Sequence, residues 1–257
     1  MIIIKTPADQ EKMRKAGRIT CEMLDAVEEL IAPGITTREL DMAARRFLKR
    51  AGAAGSFLNY GGFPAVLCIS VNDEVVHGIP GDRVLKEGDI VSVDAGAKFG
   101  GFHGDSARTV AVGEISPEAK QLIRVTEECF WKGLEFARPG FHISDISHAV
   151  QVHAESFGYG VVRELTGHGI GRSLHEDPAV PNFGPAGRYE RIRPGMTICI
   201  EPMINAGTRL VNFSKEDGWT VTTRDGSLSA HYEHTVLVTE GEPELLTLSP
   251  KQGRRDA

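Results

Sequence analysis

Cysteine is scarce in this sequence and is not clustered. The 257 residues include four cysteines, at positions 21, 68, 129 and 199, and no two of them form a CxxC pair. This pattern excludes a disulfide-stabilised scaffold and a structural zinc site built on paired thiolates. We therefore expect the stability of the protein to come from a hydrophobic core.

Long hydrophobic runs are also missing. No stretch approaches the roughly 18 apolar residues of a membrane span. The N-terminal run Met-Ile-Ile-Ile is too short for the core of a signal peptide. The sequence therefore predicts a cytoplasmic protein that has no membrane partner.

Positive charge is not in excess. The chain has 29 Lys and Arg against 35 Asp and Glu, which gives a formal net charge of −6. The only basic cluster, residues 251–255, lies in a C-terminal segment, 249–257, that we predict to be a flexible tail. A nucleic-acid partner is not expected. The length of 257 residues allows between one and two domains, and we predict a single domain over residues 1–257 because its two halves would share one core.

The chain carries an internal repeat. Residues 19–34 match residues 125–140 without a gap, and both segments end in Pro-Gly. The following segments match at the same displacement, and 86–96 matches 193–203, which makes Asp94 and Glu201 equivalent. Chance similarity of two helix-turn-strand units is the alternative, but the ungapped match through Pro-Gly favours duplication. We predict two pseudo-symmetric halves, roughly 10–112 and 116–248.

Each half has helical segments followed by strands. Apolar residues from Met13 to Leu30 recur at helical spacing, Thr36 to Glu39 is a capping box, and a helix is predicted from Ser116 to about Arg138. The predicted strands are 66–70, 75–78, 89–97, 102–112, 161–166, 196–204, 210–213, 219–224 and 229–239. This order predicts an α+β fold around a curved antiparallel or mixed sheet.

Two acidic residues are predicted to meet in one hairpin. Residues 98–101 form a turn, and centring the hairpin between Phe99 and Gly100 places Asp94 directly opposite Asp105. Like charges in that position destabilise a sheet. A divalent cation would compensate them, whereas the alternatives are an exposed hairpin or a register that differs by one residue.

The second half adds further metal-binding residue types. Glu201 ends a hydrophobic run, Glu233 lies within a predicted strand, and His168 and His175 lie in a glycine-rich segment predicted to be irregular. Four carboxylates and one imidazole suit two divalent ions of manganese, iron, cobalt or zinc. His77 is a further candidate at the rim of the site.

Several motifs together resemble one family. The segments VVHGIP, DIVSVDAG, GFHGDSART, TGHGIGRSLHEDP, MTICIEPMI, DGWTV and SAHYEHTVLVT are similar to those of bacterial, type I methionine aminopeptidases, over roughly residues 4–248. The resemblance implies the pita-bread fold. It also implies five metal ligands: Asp94, Asp105, His168, Glu201 and Glu233. Of these, Asp105 and Glu233 would bridge the two ions.

The same resemblance implies a hydrolase that removes methionine from the N-termini of nascent proteins and peptides. A hydroxide held between the two ions would attack the first peptide bond, and a small second residue would be preferred. Glu201 would pass on a proton, His175 would donate to the oxyanion, and His77 would contact the scissile amide. We expect a monomer whose substrates include chains at the ribosome.

The resemblance also implies a methionine pocket and a third ion. The pocket maps onto Tyr60, Phe63, Cys68, His77, Leu174 and Trp219. Leu174, Gly61 and Phe57 depart from the residues that are common in the family, which changes the expected shape of the pocket. A monovalent cation is expected near Asn72 and Ser229.

Two other functions remain open from the sequence. A peptidase specific for proline, or a creatine-type hydrolase, would share the fold but usually carries an additional N-terminal domain, and only residues 1–12 precede the first repeat helix. A non-catalytic binding module would share the fold but typically lacks several ligands, and all five are present here.

Overall fold

The computed structural model describes residues 1–251, so residues 252–257 of the predicted tail lie outside the described residues. The helices are α1 (Pro7–Glu28), α2 (Thr37–Ala51), α3 (Pro117–Leu134) and α4 (Ile143–Ser156), and a short 3-10 helix spans Tyr60–Gly62. The strands are β1 (Ala54–Gly55), β2 (Leu67–Val71), β3 (Glu74–Val76), β4 (Ile90–Phe99), β5 (Phe102–Ala111), β6 (Gly160–Val161), β7 (Gly167–Gly169), β8 (Glu176–Val180), β9 (Thr197–Ile200), β10 (Met203–Asn205), β11 (Val211–Phe213), β12 (Val221–Thr223), β13 (Ser229–His231), β14 (Glu233–Leu237) and β15 (Glu244–Leu245).

A nine-stranded sheet forms the centre of the molecule. Its main path runs β1-β4-β5-β14-β9-β7-β8, while β2 pairs with β4 and β15 pairs with β14. Neighbouring strands along this path are antiparallel. Because β5 of the first half pairs with β14 of the second, the sheet is continuous through both halves. The predicted α+β class with an antiparallel sheet is confirmed.

The helices begin where side chains cap them. Thr6 and Thr36 form capping boxes with Asp9 and Glu39, and α2 ends at Gly52 in the left-handed conformation, with a φ of 64°. The buried stripe of α1 packs on β4 and β5. Leu30, predicted in that stripe, instead lies beyond the end of α1 and is exposed.

The predicted end of α3 is too late. The helix ends at Leu134. Two tight turns follow, because Phe136 N–H donates to the Gly133 carbonyl and Ala137 N–H to the Leu134 carbonyl. These contacts span three residues instead of four, so the backbone tightens before it reaches Pro139-Gly140. Apolar side chains of α3 and α4 pack against β9 and β14 in a core that includes Phe130 and Ile198.

Three predicted strands are shorter or divided. The 161–166 strand is limited to β6, and the 196–204 and 229–239 strands are each split in two, at Pro202 and Tyr232. Pro202 has no N–H for the ladder, and its carbonyl accepts from Tyr232 N–H instead. At Pro202 the chain leaves the large sheet and at Tyr232 it returns to it, because β10 and β13 belong to a separate three-stranded sheet with β6.

The two helix pairs begin at matching positions. α2 starts at Thr37 and α4 at Ile143, and the residue before each makes an isolated bridge: Thr36 with Val84, and His142 with Arg191. At the far end of the chain, Ser249 is buried and its hydroxyl donates to Asp25. Within residues 1–251, we find no helix with the length and hydropathy of a transmembrane span.

Candidate active site

A cavity of about 390 Å³ opens onto the large sheet. It brings together every residue that the sequence analysis assigned to the metal ions, to catalysis or to the methionine pocket. These are Tyr60, Phe63, Cys68, His77, Asp94, Asp105, His168, Leu174, His175, Glu201, Trp219 and Glu233, and they are joined by Phe57, Val76, Glu164, Leu165, Thr166, Met203 and His231. Both halves of the chain therefore contribute to one cavity.

The hairpin that carries the two aspartates has a different register from the one predicted. Asp94 pairs with Ala107 and Asp105 with Gly96, so the two acids are diagonal neighbours and not directly opposite. The turn centres on Gly100 and Gly101, whose φ angles are 58° and 83°. A two-residue turn of this kind needs positive φ at both central positions, which only the Gly-Gly pair satisfies easily. The residue opposite Asp94 is therefore Ala107 and not Asp105, a shift of two positions from the predicted register. Because side chains alternate along a strand, a shift of two leaves both acids on the same face.

Three acids lie in one row across the sheet. Asp94 and Glu233 both pair with Ala107, on opposite sides of it. On the next strand, His234 pairs with Ile200, and continuing this register places Glu201 opposite Glu233. Directly opposed residues share a face, and Ala107 leaves space between the acids. Strand pairing alone thus brings Asp94, Glu201 and Glu233 together.

Burial keeps these carboxylic acids from ionising readily. It raises the pKa of Asp94 to about 7. It also raises the pKa of Asp105 well above its usual range, together with the charges of Glu233 and Asp94. The pKa values of Glu201 and Glu233 rise for the same reasons, burial first and neighbouring carboxylates second. Without a cation, four such groups disfavour one another's charged forms.

His168 presents an unprotonated nitrogen to these acids. Its Nδ1–H donates to the Gly169 carbonyl at 2.8 Å, which leaves Nε2 free of hydrogen. Nε2 lies 3.4 Å from Glu201 Oε1 and 3.9 Å from Asp105 Oδ2. Burial, with a contribution from His175, lowers its pKa to about 3, so the ring is neutral. A backbone bond that fixes the tautomer in this way is typical of histidine metal ligands. The residue lies on the short strand β7, whereas the sequence predicted irregular backbone.

The donor set suits divalent cations. Asp94 Oδ1, Asp105 Oδ1 and Glu233 Oε1 are buried and have no hydrogen-bond partner within residues 1–251. Buried polar atoms without partners are unfavourable, and carboxylate oxygens with one imidazole nitrogen are the ligands of borderline metal ions. Ligand atoms of Asp105, His168, Cys199 and Glu233 lie within 4.8 Å of one another. The residues present therefore fit a metal centre.

Two neighbours of this centre were not assigned to it from the sequence. Cys199 is buried, and its Sγ lies 3.7 Å from Thr235 Oγ1. It precedes Glu201 by two residues on one strand, so alternation of side chains could have placed it on the same face. His231 Nε2 lies 3.9 Å from Glu201 Oε2. Burial, with a contribution from His77, lowers the His231 pKa to about 3.

The wall of the cavity away from the acids is mostly apolar. Phe63 and Trp219 meet edge to face with ring centroids 5.1 Å apart, and His77 contacts the same indole at 6.2 Å. His77 has a φ of 61°, and burial lowers its pKa to about 4. A Cβ on Gly61 would lie 3.2 Å from Trp219 Cη2, so the glycine leaves room for the indole. Leu174 is almost fully buried beside them.

His175 lies between the apolar wall and the acids. Its ring centroid is 4.2 Å from that of His168, and its Nδ1 is 2.5 Å from the Tyr60 hydroxyl. Partial burial lowers the His175 pKa. The ring is therefore neutral near pH 7 and able to donate or accept one hydrogen bond.

The side chains of the predicted monovalent-cation site already make hydrogen bonds. Asn72 donates through Nδ2 to Asp89 Oδ1 and accepts from Ile90 N–H through Oδ1. The Ser229 hydroxyl donates to Asn205 Oδ1 at 2.9 Å. The Asn72 carbonyl accepts from Ser229 N–H, which joins the two residues. This cation stays a prediction.

Comparison with known families agrees with this site. The model of metallopeptidase family M24 matches residues 11–240. The chain belongs to this family. This M24 metallopeptidase is 54% identical over 249 residues to a methionine aminopeptidase of Clostridium acetobutylicum, with 96% of this chain and 99% of that one covered. It is 52% identical over 247 residues to methionine aminopeptidase 1 of Bacillus subtilis, and the match covers 96% of this chain and 99% of the Bacillus protein.

Solved structures place the M24 metallopeptidase in the same fold. The methionine aminopeptidase of Rickettsia prowazekii superimposes with a TM-score of 0.95 at 45% identity, covering 96% of this chain and all of that one. A prolidase from Pyrococcus furiosus matches at a TM-score of 0.79 and 24% identity, covering 96% of this chain and 66% of the prolidase, and shows the fold alone. The predicted pita-bread fold and the resemblance to methionine aminopeptidases are confirmed. The chain is a metal-dependent hydrolase.

Proposed function

We propose that this chain removes the N-terminal methionine from nascent proteins and peptides, with a preference for a small second residue. The observation that carries the proposal is one cavity in which four buried carboxylates and an imidazole face an apolar wall. Relatives named methionine aminopeptidase, alike over nearly the whole chain, support the same activity. The two predicted halves would form a single catalytic domain.

The proposed metal site uses all five predicted ligands: Asp94, Asp105, His168, Glu201 and Glu233. The buried oxygens without partners support this set. Asp105 and Glu233 would bridge two divalent ions, with Asp94 on one ion and His168 and Glu201 on the other. The bound ions supply Lewis acidity, which makes water a nucleophile near neutral pH. Cobalt, manganese, iron and zinc all suit these ligands.

The apolar wall would bind the methionine side chain. Phe63, Cys68, Leu174 and Trp219 are apolar or weakly polar and line one side of the cavity, and an unbranched thioether fills irregular apolar space well. The free α-amine would face the acids, which restricts cleavage to the first peptide bond. His77, at the rim, leaves little space for a large second side chain.

Three side chains would handle protons and charge. Glu201 would accept a proton from the attacking water and return it to the leaving amine. His175 donates through Nε2–H to the oxygen that becomes negative, with the Tyr60 hydroxyl on Nδ1 selecting this tautomer. Neutral His77 contacts the scissile amide. Tyr60 also closes one side of the pocket.

The cellular setting of the enzyme is also a proposal. We infer a cytoplasmic monomer that acts on nascent chains, including chains still at the ribosome. No nucleic-acid partner is needed for this activity, and the net charge of −6 does not favour one.

One assay separates this function from the alternatives. Chelated protein is supplied with each divalent ion in turn, and methionine release from Met-Ala-Ser is compared with cleavage of Ala-Pro peptides. We expect release only with added ion and only from the first peptide. Cleavage of Ala-Pro alone would indicate a proline peptidase, and binding of ions without either reaction would indicate a non-catalytic module.

A further inference from the structure

A buried ion pair lies directly behind the candidate active site. Lys5 Nζ is 2.6 Å from Glu176 Oε2, and the two side chains are 3% and 6% exposed. The proposed reaction uses neither residue. Removing two charges from water is unfavourable unless their geometry is good and further hydrogen bonds satisfy them. The pair therefore calls for a role beyond stability.

Further hydrogen bonds do satisfy both partners. Lys5 Nζ also donates to the Ile3 carbonyl at 3.0 Å, and Glu176 Oε1 accepts from Ser173 N–H at 3.1 Å. The backbone of Lys5 is held independently, because its N–H donates to the Gly195 carbonyl and its carbonyl accepts from Gln10 Nε2. Lys5 is thus a fixed point to which Glu176 is attached.

The segment 169–176 wraps tightly around this fixed point. A Cβ on Gly171 would lie 2.5 Å from Lys5 Cε and 2.6 Å from Glu176 Oε1, so a larger residue there would displace the ion pair. Gly171 N–H donates to the Ser173 carbonyl, and its carbonyl accepts from His103 N–H. Glu176 pairs with Gly169 where β7 and β8 meet. The ion pair is the polar centre of a compact turn.

This turn joins the two histidines of the site. His168 lies on the strand that enters it and His175 directly precedes Glu176, with the imidazole centroids 4.2 Å apart. Most of the His175 ring faces the open cavity, where Tyr60 is its hydrogen-bond partner. The backbone position of residue 175 therefore decides where its ring lies.

We propose that the Lys5–Glu176 ion pair positions His175 relative to His168, so that Lys5 and Glu176 are positioning residues for the reaction. The inference rests on the proposed function for the role of His175. Misplacement of a catalytic group by about 1 Å can lower a rate by about 100-fold. A defect in this pair should therefore lower kcat much more than it raises KM.

The test compares single and double variants of the full chain. Lys5→Met and Glu176→Gln each leave one buried charge without its counter-charge, whereas Lys5→Met with Glu176→Leu replaces both by apolar residues of similar size, which often restores stability. The matched control is Arg172→Met. Arg172 lies in the same segment and pairs with Asp9 at 3.2 Å, but its side chain is 65% exposed.

Four quantities are measured on each variant: Tm, kcat and KM for Met-Ala-Ser, and the ring NMR signal of His175 in chelated, histidine-labelled protein. The His175 signal is assigned by its loss in His175→Gln. We expect kcat to fall about 10- to 100-fold in the double variant with KM within about twofold, a shifted His175 signal, and a Tm close to that of wild type. The control keeps kcat and the His175 signal.

Recovery of kcat together with Tm in the double variant would overturn the proposal, because the pair would then be structural only. An unchanged kcat in the single variants would overturn it as well. If wild type released no methionine, the proposed function would fail, and the NMR comparison would still decide the inference: a His175 signal that shifts in the double variant supports positioning, and an unmoved signal contradicts it.

Discussion

The two halves of the chain present similar frameworks but different chemistry. Each has a helix pair packed on strands, with the second helices beginning at Thr37 and Ile143. The first half places two aspartates on one continuous hairpin. The second half places His168 on β7, Glu201 directly after β9 and Glu233 at the start of β14, the last two at points where the chain changes sheets. A regular hairpin can hold charge, whereas Glu201, the proposed proton acceptor, lies where the strand pattern is broken.

The largest effect should come from the second half. Glu201→Gln keeps the size of the side chain but removes both a ligand charge and the proposed proton acceptor, so kcat should fall about 1000-fold while the fold is retained. Steady-state kinetics and circular dichroism measure this. Glu164→Gln is the matched control, because Glu164 lines the same cavity but lies near Arg209 at its rim. Turnover near that of wild type in Glu201→Gln would contradict the assignment.

The next effect concerns the two non-ligand histidines. His175→Ala should lower kcat about 100-fold with little change in KM, since a donor to the developing oxyanion acts mainly in the transition state. His77→Ala should lower activity while both metal positions remain filled, as measured by metal analysis after dialysis. A rise in KM without loss of kcat would reassign His175 to substrate binding, and loss of metal would make His77 a ligand.

A pH experiment on chelated protein examines the first half. The Asp94 pKa is raised from 3.8 to about 7, so the folded state holds a proton that the unfolded chain releases above pH 4. The raised Asp94 pKa therefore stabilises the folded state below about pH 4, and this stabilisation is lost as the pH rises through 7. An asparagine side chain has no proton to lose in this range, so Asp94→Asn should gain on the order of 4 kcal/mol relative to wild type between pH 4 and pH 8.

Urea unfolding in the presence of a chelator measures this difference. Added divalent ions should reverse the order of stability, because wild type binds them more tightly and ligand binding stabilises the folded state. A difference that does not change with pH would show that Asp94 ionises normally in the folded protein.

A smaller effect is expected where the first helix meets the sheet. A Cβ on Gly104 would lie 2.8 Å from the Cα of Gly17 in α1, so Gly104→Ala should destabilise the protein by about 2 kcal/mol through forced backbone movement. The second half has Ile123 at the position that corresponds to Gly17. Gly241→Ala, with Thr239 Oγ1 4.0 Å away, should leave Tm unchanged. Equal Tm values for Gly104→Ala and Gly241→Ala would show that the close contact between Gly104 and α1 does not distinguish the first half from the second.

The smallest effect compares the caps of the second helices. Thr36 accepts from Glu39 N–H through its hydroxyl, so Thr36→Ala should destabilise by about 1 kcal/mol. His142 contributes its backbone N–H, which donates to Asp145 Oδ2, and alanine retains that group. His142→Ala should therefore have less effect in thermal unfolding. A larger loss at His142 would show that its ring stabilises α4.

Most of the helices could be predicted from the sequence, because capping boxes and hydrophobic periodicity are local signals. The acids and histidines of the proposed site stand out by their sequence settings, whereas the set of five ligands is implied by the family resemblance. The register of the β4–β5 hairpin could not be predicted in this way. The turn could be centred before or after Gly100, and the φ angles of Gly100 and Gly101 decided it. The sequence does not single out Cys199, because buried thiols are usually inert core residues, although its alternation with Glu201 predicts a shared face.

The sequence by itself determined which residues are unusual: acids within hydrophobic strands, and two histidines in a glycine-rich segment. Only the tertiary structure decided which of them meet. Side-chain alternation along a strand is a local property, but Asp94 and Glu233 become neighbours through Ala107, by pairing of strands from different halves. That pairing depends on how the two cores pack, and no short segment of the chain contains this information.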